Sequence, residues 1–97
     1  MLTLEDSVVA SRSTQLSTDL GGEFVILSLI DEVYYGLDGV GARVWELIQE
    51  PRTVASVAQS IRDEYDVDAD RCASDIRNLL ADLAERSLVE ISPAHNR

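Results

Sequence analysis

Lysine is missing from this 97-residue chain, and cysteine and histidine occur once each, as Cys72 and His95. A lone cysteine excludes an internal disulfide and fits a reducing compartment. Two Cys/His residues so far apart cannot supply the several ligands of a zinc site. Nor do they suit a nucleophilic pair, which needs both side chains within hydrogen-bond reach. The apolar spacing around Cys72 puts it on the buried stripe of a helix, whereas His95 falls in a terminal tail. Long hydrophobic runs are also wanting. The longest, Phe24 to Ile30, is broken by Ser28 and is far too short to cross a bilayer. Met1 to Asp6 lacks the basic start and apolar run of a signal peptide, so a cytoplasmic location is expected.

Positive charge is scarce. Eight basic residues, all Arg, face eighteen acidic ones, a net charge of −10. Such a surface repels phosphates and anionic lipid headgroups, which argues against nucleic acid and membrane as partners. It favours a partner carrying positive charge, while also serving solubility. The acidic run from Asp63 to Asp70 does not make a calcium loop. Counted from Asp63, the sixth and twelfth positions hold Asp68 and Ser74, and counted from Asp66 they hold Arg71 and Arg77, where Gly and Glu are needed. Gly39-Val40-Gly41 lacks the third glycine and the βαβ setting of a dinucleotide site. Nothing marks a pocket for paired carboxylates. The chain reads as a non-enzyme with no catalytic residue, metal or cofactor.

What is present is a well-punctuated set of short elements. Ser7 to Ser13 mixes β-branched and small polar residues and predicts a short strand; residues 14–22, polar and ending in Gly21-Gly22, predict a loop. Glu23 to Leu29 is dense in Phe, Val, Ile and Leu and predicts a buried strand. Asp31-Glu32 predicts the turn of a hairpin whose second strand is Val33 to Leu37. Asp38 is an expected N-cap for a helix to about Gln49, with Val40, Val44, Leu47 and Ile48 on one face and Trp45 at its edge. Thr53 is the expected cap of a second helix, with Val54, Val57, Ala58, Ile61 and Tyr65 along its stripe. Asp68 is that of a third, reaching about Arg86, with Cys72, Ile76, Leu79, Leu80 and Leu83 inward. Leu88 to Ile91 is either a short terminal strand or chain packed back on the core.

The resulting order, β-β-β-α-α-α, predicts an α+β fold in which a three-stranded antiparallel sheet is followed by three helices. The last two helices form a helix-turn-helix pair. That pair raises DNA binding as an alternative function. Arg71, Arg77, Asn78 and Arg86 on the third helix suit it, but Asp70, Asp75, Asp82 and Glu85 on the same helix oppose it. A structural subunit of a larger enzyme is a further alternative.

The run Tyr35-Gly36-Leu37-Asp38-Gly39-Val40-Gly41-Ala42-Arg43-Val44-Trp45-Glu46-Leu47 resembles the signature of PqqD-like proteins. So do Pro51-Arg52-Thr53-Val54, Glu64-Tyr65-Asp66-Val67 and the Asp75, Leu80 to Leu83, Leu88-Val89 ending. Members usually carry Asn where this chain has Asp38, and Gly where it has Ser87. The resemblance covers about residues 8–91 and implies one winged helix-turn-helix domain over 1–97, with 92–97 as a flexible tail. It also implies a recognition element for ribosomally made, post-translationally modified peptides (RiPPs), most like the stand-alone leader-binding proteins of lasso-peptide clusters. The implied partners are a precursor leader peptide and a leader peptidase of the transglutaminase-like cysteine-protease type. A peptide chaperone of pyrroloquinoline quinone synthesis is the similar alternative, although its usual Pro-Glu-Gly turn is absent at Asp31-Glu32-Val33.

Physically, the last strand of the block is an expected sheet edge, open to an added strand, and an apolar helix beside it would offer pockets for alternate side chains. The expected peptide-binding residues are Val33, Tyr34, Tyr35, Gly36 and Leu37 on the strand, and Cys72, Asp75, Ile76, Leu79 and Asp82 on the third helix. Tyr35, Leu37, Ile76 and Leu79 serve equally well as plain core. The aliphatic members would take an aromatic or proline anchor; Asp75 and Asp82 would pair with basic leader residues.

Overall fold

The computed structural model describes residues 2–93 of the chain; His95 and the remainder of the expected tail from 94 onward lie outside them. In chain order the elements are β1 (Ser7–Ala10), β2 (Gln15–Asp19), β3 (Phe24–Ser28), β4 (Tyr34–Leu37), α1 (Gly39–Leu47), β5 (Arg52–Thr53), α2 (Val54–Glu64), α3 (Ala69–Glu85) and β6 (Val89–Ser92). The fold is α+β, with three helices and a three-stranded antiparallel sheet, β2-β3-β4.

The membership of that sheet differs from expectation. Residues 14–22 were expected as loop, but Gln15–Asp19 pairs with β3 from Gln15↔Ser28 to Asp19↔Phe24. Its side chains are exposed after Gln15, so it needs no apolar alternation, and the ladder to β3 alone holds a polar strand in place. β1 instead lies in a second sheet, ordered β5-β1-β6, where Val8 opposes both Arg52 and Ile91. The Leu88–Ile91 segment is thus a true strand, and it extends one residue into the expected tail, through Ser92.

Both sheets and the helices close on one core. Trp45, Ile26, Ile48 and Leu80 are fully buried there. Each such side chain is worth about 1.5–3 kcal/mol of removed apolar surface. The Trp45 indole N–H donates to Ser17 Oγ at 3.3 Å, so the large ring is buried without stranding its polar atom.

The helix caps follow the sequence in part. Thr53 Oγ1 accepts from Ser56 N at 3.1 Å and Asp68 Oδ2 from Arg71 N at 3.0 Å. Asp38 has the extended backbone of an N-cap (φ −137°, ψ 173°), but its side chain makes no capping bond. α1 also stops at Leu47, short of the expected Gln49. At the end of α3, Ser87 takes φ 61°. Its N–H donates to Ala84 O and that of Leu88 to Leu83 O at 2.9 Å. This is a Schellman closure made with serine in the left-handed position that usually suits glycine. Thr14 Oγ1 donates to Ser87 O at 2.6 Å, tying the start of the β2 strand to the same joint.

Candidate functional site

β4 is an edge strand, because among the described residues β3 is its one partner in the sheet. Its pairing runs Leu27↔Tyr34, Ile26↔Tyr35, Val25↔Gly36 and Phe24↔Leu37. Ser28 N donates to Val33 O at 2.9 Å, which marks that pair as hydrogen-bonded. Antiparallel ladders alternate, so Tyr35 and Leu37 spend their main-chain groups on β3, whereas the N–H and C=O of Tyr34 and Gly36 point away from the sheet. Gly36 has open space where a Cβ would stand, so the molecule's own packing does not require a glycine there.

Side chains alternate in the same way. Tyr35 and Leu37 are half-buried and pack against the core, while Tyr34, 69% exposed, stands on the opposite face. The hairpin before β4 is set by short-range bonds. Ser28 Oγ accepts from Ile30 N and Asp31 N, Asp31 Oδ1 accepts from Val33 N, and Glu32 adopts φ 59°. The Ser28 hydroxyl, helped by the Val33 amide and the Tyr35 hydroxyl, holds the Asp31 carboxyl below the usual carboxylate range.

The C-terminal end of α3 meets β4 through Arg86. At the β4 start, Arg86 lies over the Tyr35 ring, 4.8 Å from its centroid, and its Nε meets Asp82 Oδ2 at 3.3 Å. Tyr35 first, and Asp82 second, hold this guanidinium above its ordinary pKa. Past the β4 end lies a cavity of about 430 Å³, lined by Val40, Ile61, Val67, Asp68, Arg71, Cys72, Asp75, Ile76 and Leu79. Its floor is apolar. Its rim carries Asp68, Asp75 and Arg71, the last pair 3.8 Å apart. Arg43 braces this end by donating to both oxygens of Glu64, at 2.8 and 2.8 Å, which joins α1 to the last turn of α2. The same contact keeps the Glu64 carboxyl below its ordinary pKa.

Of the expected strand residues, Tyr34, Tyr35, Gly36 and Leu37 make up the β4 edge, and none of Val33 to Leu37 lines the cavity. Cys72, Asp75, Ile76 and Leu79 line the cavity; Asp82 does not, and stands with Arg86 at the far end. Val33 precedes β4 instead of lying within it. Cys72 is also core, 5% exposed, with its Sγ 3.8 Å from Ala58 O. Val40 was expected on the buried stripe of the first helix, yet it is 37% exposed and lines the cavity. Tyr65 likewise leaves its expected stripe for the surface. Sequence reasoning missed Val40 and Val67 as cavity residues and Arg86 as the partner of Tyr35. An isolated valine amid the acids of Asp66-Val67-Asp68 was the available signal.

Among the described residues no group of three or more His, Cys, Asp or Glu could hold a metal ion, and no helix is long and apolar enough to cross a membrane.

Comparison with known proteins places this groove in context. The family of coenzyme PQQ synthesis protein D matches residues 23–89. A solved structure of TbiB1 in complex with the TbiA(beta) leader peptide is 34% identical, covers 84% of this chain and 94% of its own, and superposes with a TM-score of 0.79. The PqqD truncation of Methylobacterium extorquens PqqCD, described as a stand-alone RiPP recognition element, is 25% identical over 93% of this chain and 95% of its own, at TM-score 0.73. A lasso peptide synthetase B1 complexed with its leader peptide shares the fold at 22% identity and TM-score 0.75, covering 86% and 96% of the two chains. No curated protein sequence matches.

Proposed function

Because this chain belongs to the PqqD family, we propose that it is a non-catalytic adaptor that binds the leader segment of a ribosomally made precursor peptide. Residues 1–97 act as one recognition domain. The leader adds a strand to β4, hydrogen-bonding the outward groups of Tyr34 and Gly36, and its groove-side residues face α3. Main-chain pairing gives affinity with little sequence choice. The apolar cavity past the β4 end gives the choice, by taking an aromatic or proline side chain, while Asp75 and Asp82 meet basic leader residues. The adaptor then delivers the peptide to a leader peptidase in lasso-peptide biosynthesis. Service in pyrroloquinoline quinone synthesis or another RiPP pathway is the second reading, favoured by the description of the matching family.

One observation supports the reading: β4 is a sheet edge, and it leads into α1, whose Val40 lines a 430 Å³ apolar cavity together with α3. The relative solved with a leader peptide supports it. Calorimetric titration of the cognate leader tests it. Saturable binding near micromolar, roughly −8 kcal/mol, is expected. Binding to duplex DNA at physiological salt with no binding to the leader would overturn it.

A further inference from the structure

Tyr35 is an inner residue of the open edge, and two charged side chains hold it. Its hydroxyl donates to Asp31 Oδ2 at 3.3 Å, and Asp31 belongs to the turn that the buried Ser28 organises. Its ring carries the Arg86 guanidinium, 4.8 Å from the centroid. Asp82, one helical turn back along α3, holds that guanidinium through Nε at 3.3 Å.

The base of the Arg86 side chain is itself fixed. Its N–H donates to Asp82 O at 3.2 Å, closing the last turn of α3. The next residue is the left-handed Ser87, whose carbonyl takes the Thr14 hydroxyl at 2.6 Å. The backbone at 86 is therefore set on both sides, and its side chain reaches from a firm helix end to the edge strand. A planar guanidinium laid on an aromatic face restricts how that ring can turn.

This clamp adds little to folding, because the Arg86 and Asp82 side chains are 43% and 58% exposed. Its effect falls on the shape of β4. Tyr35 and Leu37 spend their main-chain groups on β3, so the outward groups of Tyr34 and Gly36 stay aligned only while Tyr35 keeps its place in the ladder. Gly36, next in line, has no side chain to steady the strand and the freest backbone of any residue.

We propose that Arg86 is a positioning residue for leader binding: by pinning the Tyr35 ring it holds β4 in the geometry that a guest strand must meet. This rests on the leader-adaptor reading and deepens it by naming what prepares the edge. The ordering of β4 is done before the peptide arrives, and the added strand takes over that task once bound. Arg86 need not touch the peptide. Its loss lowers the fraction of molecules with a ready edge, which slows association and leaves dissociation unchanged. Loss of a direct contact would instead speed dissociation.

The test uses the full chain and the cognate leader as a labelled synthetic peptide, with rates from stopped-flow fluorescence. Arg86→Met keeps the apolar stem and removes the charge. It should weaken leader binding about 3- to 10-fold, all of it in the association rate, with dissociation within about twofold of wild type. Arg86→Lys keeps a cation over the ring and should restore association to within about twofold. In the free protein, Arg86→Met should speed hydrogen exchange at the Tyr35 and Leu37 amides, while Tm falls by no more than a few degrees. An unchanged association rate overturns the proposal. So does a loss carried by dissociation, or one that a single acid-to-amide change in the leader cancels, since either makes Arg86 a contact. Unchanged amide exchange in Arg86→Met overturns the clamp whatever the leader does. A wild-type chain that fails to bind the leader, with exchange still sensitive to Arg86→Met, counts against the adaptor reading while upholding the clamp.

Discussion

The β2-β3-β4 sheet has two open edges. β4 carries Tyr35, under Arg86 at the end of α3, and leads into α1, whose Val40 lines the apolar cavity; β2 presents Gln-Leu-Ser-Thr-Asp, and its Asp19 lines a smaller, more polar hollow of about 280 Å³. Both expose alternate N–H and C=O groups, so each could in principle template another strand. Pairing capacity alone cannot explain selective binding, since main-chain groups are the same everywhere. What distinguishes β4 is the apolar pocket past its end, with its Asp68, Asp75 and Arg71 rim. β2, by contrast, is blunted by polar side chains, a common safeguard against unwanted pairing.

The largest expected effect separates the edges directly. Gly36→Pro removes an outward donor from β4 and should cut leader affinity ~10- to 100-fold, matching a lost hydrogen bond with its partner left unpaired. Ser17→Pro on β2 should lower thermal stability, because the Trp45 indole loses its acceptor, yet leave leader affinity within about twofold. Equal losses from the two substitutions, read by calorimetry, would erase the distinction. Next in size is the pocket. Val40→Ser, at a 37% exposed position, should cost little stability but weaken leader binding about fivefold, near 1 kcal/mol. Leu16→Ser, the β2 counterpart, should not change leader binding at all.

A fifth substitution separates the pocket from the scaffold. Ser87→Gly relieves a left-handed backbone at φ 61° and should stabilise the chain by roughly 0.5–1 kcal/mol, seen as a rise of several degrees in Tm. Leader affinity should stay constant. The smallest effect is that of pH. Asp31 and Glu64 have pKa values below their ordinary 3.8 and 4.5, so each adds stability that is full above those values. That stability is lost as pH falls through the lowered folded-state pKa. Both groups are solvent-exposed, so the acid melt should shift only slightly, and Glu64→Gln should flatten part of that shift.

Much of this could be read from residue pattern. The β3 run of Phe, Val, Ile and Leu, the caps Thr53 and Asp68, and the α3 stripe all declare themselves because burial and capping leave strong local marks. β2 did not, since a strand exposed along its length carries no alternation, and Ser, Thr and Asp beside Gly21-Gly22 have the composition of a loop. Asp38 shows the limit of residue identity: it has the right backbone, but its carboxylate makes no bond to the helix it precedes. Val40 and Val67 show another limit. Helical spacing assigns a valine to a face, but only the approach of α2 and α3 turns that face into a cavity wall. Arg86 was legible as a helix-terminal base, whereas its place over Tyr35 depends on a contact 51 residues apart in sequence, 86 − 35.

One feature of the second sheet bears on how such a fold can be used. Ser7 and Ser92 face each other across the β1–β6 ladder. Paired Cα atoms in such ladders are only ~5 Å apart. The span from 7 to 92 therefore begins and finishes at nearly the same point, on a sheet other than the one bearing β4. It is shaped like a cassette: spliced into a surface loop of a larger enzyme, it would enter and leave through one narrow gap and keep its groove free.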